Sequence, residues 1–263
     1  MICLTGDVHH SSLRSDDFAY CKGTEIEACR EMSLIAQRYE VKTTFFFTGR
    51  CAKESPEIIK EISMALGVEI GGHNYFAFKP RLPFKIYYRL TGIKNGPAFF
   101  QRFEVRKTLS ELSTLIGKPI LSWRDHGYRH DKNTFDILSE SGIEYVSDTL
   151  SNDFGQPRWN GKLFEVPINT IPDHEYVYHG KRRPGAVNEE ALKKSVFKTS
   201  AMTPDQWLNK IKEQIEEIER RQGVAVILAH PACMEVMDNF RVFEKLCDFI
   251  SNYKTVNMNG IRV

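Results

Sequence analysis

The sequence predicts an α/β protein in which a parallel sheet with alternating helices closes in a barrel-like way. Three observations carry this expectation. Short apolar runs alternate with helical patterns along the chain, as chains that lay helices against a parallel sheet do. The units are too many for a small open sheet. Finally, ionisable residues stand at the carboxyl ends of the apolar runs, the end at which parallel folds assemble their sites.

The elements follow in order. Ile2 to Thr5 reads as a strand. Thr24-Glu25-Ile26-Glu27 is a capping box that opens a helix to about Glu40. Thr43 to Thr48 is β-branched and aromatic, hence a strand, and Gly49 ends it. Pro56 starts a helix to about Leu66, and Val68 to His73 is a short strand breaking on Gly71 and Gly72. A helix over about Phe99 to Ile116 precedes a strand from Ile120 to Trp123. Asn133 to Ser141 is helical and Gly142 stops it; Ile143 to Val146 and Leu163 to Ile168 are strands. Pro204 suits the first position of an amphipathic helix to about Gln222. Val224 to Ala229 is a continuous apolar strand, Phe243 to Ser251 a helix, and Thr255 to Val263 a closing strand. Two stretches break the alternation, 75–96 and 171–200. Both read as loop insertions over the site within a single domain spanning 1–263.

Composition narrows the function classes. The chain has 263 residues, 41% hydrophobic and 11% aromatic, enough for a large core without disulfide staples. A net charge of +2 gives no support to a nucleic-acid partner. The six cysteines are scattered without a C-x-x-C pair, which reads as small core residues in a reducing compartment. No run reaches the roughly 20 apolar residues of a membrane span, and no leader pattern precedes the first strand. A cytoplasmic location is expected.

The strand ends carry the chemistry. Asp7 and His9 are two residues apart, so in extended backbone they project from one face. A carboxylate and an imidazole held together are what a divalent metal and its activated water require. The Val68 strand ends in His73, the Ile120 strand in Arg124, Asp125 and His126, the Ile143 strand in Ser147 and Asp148, and the Val224 strand in His230. His10 points away from His9 if the strand persists. His126 and His130 read as loop residues, and His174 and His179 as surface or substrate-pocket residues of an insertion. A satisfied core histidine is the plain alternative for His230.

These motifs, in this order, make the chain resemble the polysaccharide deacetylases of carbohydrate esterase family four. Leu4-Thr5-Gly6-Asp7-Val8-His9 stands where that family has Thr-Phe-Asp-Asp, and Thr43 to Gly49 is similar to its second strand. Glu69-Ile70-Gly71-Gly72-His73-Asn74 matches its metal motif. Ser122 to Tyr128 stands at its arginine motif, and Ile227-Leu228-Ala229-His230-Pro231 matches its final Leu-x-His motif. The resemblance implies a distorted (β/α) barrel and metal-assisted removal of an acetyl group from a sugar. In that chemistry a divalent ion, with zinc expected, polarises the carbonyl and acidifies a water, a carboxylate takes the water's proton, and a histidine protonates the departing amine.

Two positions depart from the family. Val8 replaces the second acid, and Ala77 stands where a second histidine is usual. His9 is the natural replacement ligand, so the expected metal set is Asp7, His9 and His73. The expected catalytic groups are Asp7, Arg124 and His230, with Arg124 orienting an acid or binding the carbonyl side. Asp7 then either combines ligand and base, or leaves the base role to Asp125 or Asp148. The expected substrate is an N-acetylated sugar or glycoconjugate precursor. A catalytically inactive relative that binds a glycan or partner, and an amidohydrolase on a non-sugar C–N bond, are the alternatives. Lys79, Arg81, Lys85, Arg89 and Lys94 among Phe76, Phe84, Tyr87 and Tyr88 read as a solvated lid, or as one that meets a phosphate-bearing sugar conjugate or an anionic membrane surface.

Overall fold

The computed structural model of the protein describes residues 1–12, 18–76, 81–93 and 95–262. Ala77, Lys79 and Lys94 therefore lie outside the described residues. The chain opens with β1 (Ile2–Val8), α1 (Glu25–Arg38), β2 (Thr43–Phe47), α2 (Cys51–Glu54), α3 (Pro56–Met64) and β3 (Val68–Gly72). It continues through α4 (Arg81–Thr91), α5 (Ala98–Ile116), β4 (Ser122–Trp123), α6 (Thr134–Glu140) and β5 (Tyr145–Val146). A hairpin of β6 (Arg158–Asn160) and β7 (Leu163–Glu165) leads to α7 (Asp173–Tyr176) and α8 (Glu189–Lys193). The last elements are α9 (Pro204–Arg220), β8 (Ala225–Leu228), α10 (Pro231–Asp238) and α11 (Arg241–Ile250).

The strands form one sheet in the order β6-β7-β5-β4-β3-β2-β1-β8. Every neighbouring pair is parallel except β6 with β7. Strand alternation sorts the side chains into two layers. Ile2, Leu4 and Val8 of β1 join Phe45 and Phe47 of β2 in a core shared with the helices. Cys3, Phe46, Tyr145, Phe164, Val226 and Leu228 form a second cluster on the opposite, inner face. Thr5 and Asp7 continue the Cys3 side of β1, so the inner face is apolar at one end and polar at the end where the strands finish.

The stretch that follows β7 meets β8 through side chains rather than through a ladder. Asn169 follows β7, and its amide donates to the Val224 carbonyl at 2.8 Å while its Oδ1 accepts the Val226 N–H at 2.8 Å. The Thr170 hydroxyl donates to the Val226 carbonyl at 2.9 Å. An asparagine presents the same donor and acceptor as a peptide unit, so these two residues supply β8 with the partner that a further parallel strand would give. This link is invisible to hydrophobic periodicity.

Several local expectations are revised. Over the described residues 255–262 the closing segment does not form a strand, and Val263 lies outside them. Thr255 makes one bridge to Ile2, and the segment then turns through a 3₁₀ turn at Met258–Gly260. Side chains compete for its backbone: Met258 N–H donates to Thr44 Oγ1, and Asn259 N–H to Glu69 Oε2. The Asn257 amide reaches the carbonyls of Thr43 and Gly67. The segment thus plugs the end of the barrel opposite Asp7. Strand β6 lies within a stretch that carries no alternating pattern, and its three residues are exposed. The insertion over 75–96 carries α4, on which Lys85, Tyr88 and Arg89 are exposed. The insertion over 171–200 is not a surface loop only: it holds α7 and α8, and Asp173, Tyr176 and Val177 in it are buried. Among the described residues no helix is long and apolar enough to cross a membrane.

If Asn169 is the clasp, Asn169→Ala leaves the Val226 N–H and the Val224 carbonyl buried without their partner. The expected loss is about 1–3 kcal/mol per orphaned group, read by urea denaturation. A variant as stable as wild type would show that β8 holds without it.

Candidate metal and acid–base site

Asp7 occupies the last inward position of β1 and is buried. Its Oδ1 accepts a hydrogen bond from Arg124, 2.9 Å away. Arg124 follows β4 and is wholly buried, an expensive place for a charge unless every donor finds a partner. The same terminal nitrogen donates to Thr5 Oγ1 at 3.0 Å, the other terminal nitrogen to Ser147 Oγ at 2.8 Å, and Nε to the Ser147 carbonyl at 3.1 Å. The guanidinium also lies over the Phe46 ring, 4.5 Å from its centroid. Gly71 makes room for that ring, since a Cβ there would stand 2.5 Å from Phe46 Cδ1. Burial by itself would raise the Asp7 carboxyl, but the charges of Arg124, His73 and His230 outweigh it and hold it at about 2. Asp7 is therefore a carboxylate whose Oδ1 is anchored and whose Oδ2 faces the two histidines.

That second oxygen is 3.9 Å from His73 Nε2 and 3.8 Å from His230 Nε2. On the His73 side three imidazoles converge. His9, His73 and His126 each offer a ring nitrogen, all within 4.8 Å of one another, with ring centroids 5.1–5.5 Å apart. Each residue is held by a different element. His9 donates both its backbone N–H and Nδ1–H to Glu25 Oε2, at 2.8 and 2.7 Å. Glu25 is the buried first residue of α1. His73 follows β3 and donates Nδ1–H to the Arg124 carbonyl at 2.7 Å, which fixes its tautomer and leaves Nε2 with a lone pair. His126 opens a short 3₁₀ turn, and its backbone N–H donates to Asn74 Oδ1 at 2.8 Å. Burial pulls His73 down to about 3, despite the attraction of Asp7, and pulls His126 well below the usual imidazole value with the neighbouring rings adding to the effect. Both rings are neutral near pH 7, the form that ligates metal.

On the other side stands His230, after β8. Its Nδ1–H donates to Asp173 Oδ1 and its backbone N–H to Asp173 Oδ2, both at 2.7 Å. Burial acts to lower this ring, but Asp173 by charge and hydrogen bond, then Asp7 and Glu25, push it up to about 9. His230 is an imidazolium at neutral pH, with Nε2–H turned toward Asp7.

The structure thus brings Asp7, His9, His73, Arg124 and His230 to one end of the barrel. Asp7 lies beside His73 but outside the three-imidazole group, whose third member is His126. Asp125 and Asp148, the candidate second acids, are hydrogen-bonded to the turn after β4 and to Asn74. Asp125 Oδ1 accepts from the Asn74 amide, and Asp148 Oδ1 accepts the Asp125 N–H, at 2.8 and 2.7 Å. Burial and then the Asp125 charge raise the Asp148 carboxyl well above the usual carboxylate range. With Asn74, this pair shapes the turn that presents His126. His10 is buried against Phe76 rather than in the group. Glu25, Asn74 and Asp173 were not legible as site residues. Glu25 left a trace, because it sits four residues before Cys29 on the buried face of α1. Asp173 left none, as it lies in an insertion without periodicity.

No family model and no curated protein matches the chain, whereas solved structures match it over nearly its whole length. A Mycobacterium smegmatis protein described provisionally as a polysaccharide deacetylase superimposes with a TM-score of 0.69 at 16% identity, covering 98% of this chain and 86% of its own. PuuE allantoinase gives 0.61 at 13% identity, with 98% and 86% covered. A carbohydrate esterase family four pseudoenzyme from Bacillus anthracis gives 0.54 at 17% identity; 98% of this chain is covered, but only 64% of that one. Another structure in the set is a mutant of such a pseudoenzyme with restored activity. The fold is that of the polysaccharide deacetylases.

The Asp173 assignment makes a measurable statement. In Asp173→Asn the His230 ring is expected to titrate well below its wild-type value of about 9, because the carboxylate that raises it is gone and burial remains. Ring resonances followed by NMR against pH test this; an unshifted titration would remove Asp173 as the cause.

Proposed function

We propose that this chain is a divergent metal-dependent hydrolase of the polysaccharide deacetylase kind, removing an N-acetyl group from a sugar or sugar conjugate. The observation that carries the reading is the position of Asp7 Oδ2, less than 4 Å from both His73 Nε2 and His230 Nε2. A held carboxylate, a ligand set and a charged proton donor face a single point.

The residues fit a divalent ion. His73 Nε2 is buried and makes no hydrogen bond, a state that costs about 1–3 kcal/mol unless something accepts its lone pair. A cation among His9, His73 and His126 would do so, and a three-imidazole set suits zinc while leaving positions for water and substrate. Glu25 and the Arg124 carbonyl then act as the outer hydrogen-bond partners that fix the rings of His9 and His73. When bound, such an ion supplies Lewis acidity toward the carbonyl oxygen and lowers the pKa of water.

The chain's own groups do the rest. Asp7 has no ligand duty in this arrangement, so its Oδ2 accepts the proton of the attacking water. Arg124 spends its donors on Thr5, Asp7 and Ser147, which makes it the residue that aims the carboxylate rather than one that binds the carbonyl. His230 gives its Nε2 proton to the departing amine nitrogen, and Asp173 keeps it charged until then. Val8 and the usual second acid are thereby reconciled: the ligand lost at Val8 is replaced by imidazoles from His9 and from the turn after β4.

The test is metal analysis joined to acetate release from N-acetylated glucosamine oligomers, with allantoin as a comparison substrate. Wild type is expected to hold a divalent ion and release acetate; chelation and His73→Ala are expected to abolish both. Asp7→Asn is expected to retain the ion while losing about 10²–10⁴-fold in turnover, the usual worth of a general base. Activity is expected to fall as pH rises through about 9, where His230 loses its proton. A wild type that takes up no divalent ion under any loading would overturn the reading. An ion bound without turnover of any N-acetyl sugar would mark an inactive relative, and turnover of allantoin alone an amidohydrolase of another class.

A further inference from the structure

Beyond His230, on the side away from the three imidazoles, the insertion after β7 brings a second group of ligating side chains together. His174, His179 and Cys233 each offer one atom, and the three atoms lie within 4.8 Å of one another. Asp173, His230 and Cys233 form an overlapping group by the same measure, so Cys233 is a shared corner. We propose that His174, His179 and Cys233 form a second cation site, selective for a thiophilic divalent ion such as Zn²⁺, Co²⁺ or Cd²⁺.

The geometry of each member supports this. His179 is buried, and its Nδ1–H donates to the Val177 carbonyl at 2.8 Å, so Nε2 presents its lone pair. A ring nitrogen fixed by a carbonyl on its far side is the usual arrangement of a ligating histidine. His174 Nδ1 lies 3.4 Å from Cys233 Sγ. Cys233 stands in the first turn of α10 and is buried, so its sulfur is held at a fixed corner of the group. One thiolate with two imidazoles selects zinc-like ions and not magnesium or calcium.

Two groups oppose occupancy and set its character. Arg182 donates to His174 Nε2 at 3.1 Å. An ion on Nδ1 moves the ring proton to Nε2, so Arg182 must release that bond; its side chain is only half-buried and can turn outward. The His230 ring is 5.3 Å from the His174 ring, and its positive charge repels an ion nearby. The site therefore fills after the three-imidazole site, and its ion adds positive charge beside the proton donor. Excess metal is expected to inhibit.

Cobalt titration of the full chain separates this site from the first, which contains no sulfur. After the first equivalent, a further equivalent is expected to bring in a near-ultraviolet sulfur-to-cobalt charge-transfer band. Cys233→Ser is expected to remove the band and that equivalent while leaving binding at the three imidazoles. Should that variant fail to fold, His179→Gln carries the same test. Arg182→Gln, which removes the competing donor and its charge, is expected to tighten the sulfur-bearing site by about tenfold, the low end of what one hydrogen bond from a charged donor is worth. No sulfur band at any loading, a band retained in Cys233→Ser, or an unchanged affinity in Arg182→Gln would each overturn the proposal. Failure of the first site would appear instead as the loss of the sulfur-free equivalent.

Discussion

The site depends on one buried ion pair, Arg124 with Asp7, inside the polar end of the barrel. Removing either partner of such a pair leaves a charge in a dry interior, at a cost of about 3–5 kcal/mol. The surroundings are built to make it tolerable. Thr5 and Ser147 take the remaining guanidinium donors, Phe46 lies beneath it, and Gly71 leaves space for Phe46. The consequence for chemistry is directional. With Oδ1 tied to Arg124, Asp7 can only offer Oδ2, and Oδ2 faces His73 and His230.

Around that carboxylate, opposite electrostatic environments separate the histidines into two kinds. His73 and the half-buried His126 are held below the usual imidazole value by desolvation and stay uncharged near pH 7. His230 is equally enclosed but carries Asp173 on its Nδ1, and it is charged. Burial acts to lower each of these three rings, and the buried Asp173 carboxylate is what raises His230. The same division applies to the carboxylates. Asp7 is ionised because it meets cations, and Asp148 is driven toward its neutral form because it meets Asp125.

Much of this was legible in the residues. The parallel alternation, the strands from β1 to β4 with α1, α3 and α5, and the gathering of Asp7, His9, His73, Arg124 and His230 at strand ends follow from periodicity and from the two-residue repeat of a strand. What was not legible depends on side chains acting as backbone or on turns without period. Asn169 and Thr170 meet β8 by imitating a strand. Thr44 and Glu69 draw Met258 and Asn259 away from the strand that 255–263 would otherwise make. His126 reads as a loop histidine until Asn74 and the Asp125–Asp148 pair are seen to fix its turn. Asp173 lies in an insertion where no repeat marks an inward face.

The central claim is that three imidazoles hold the ion and leave Asp7 on Arg124 to act as base. Anomalous diffraction at the zinc edge, from crystals loaded with one equivalent, tests it most directly. A single peak enclosed by His9, His73 and His126, with Asp7 still bonded to Arg124, is expected. A peak ligated by the Asp7 carboxylate, or one that leaves His126 outside its ligands, would contradict it.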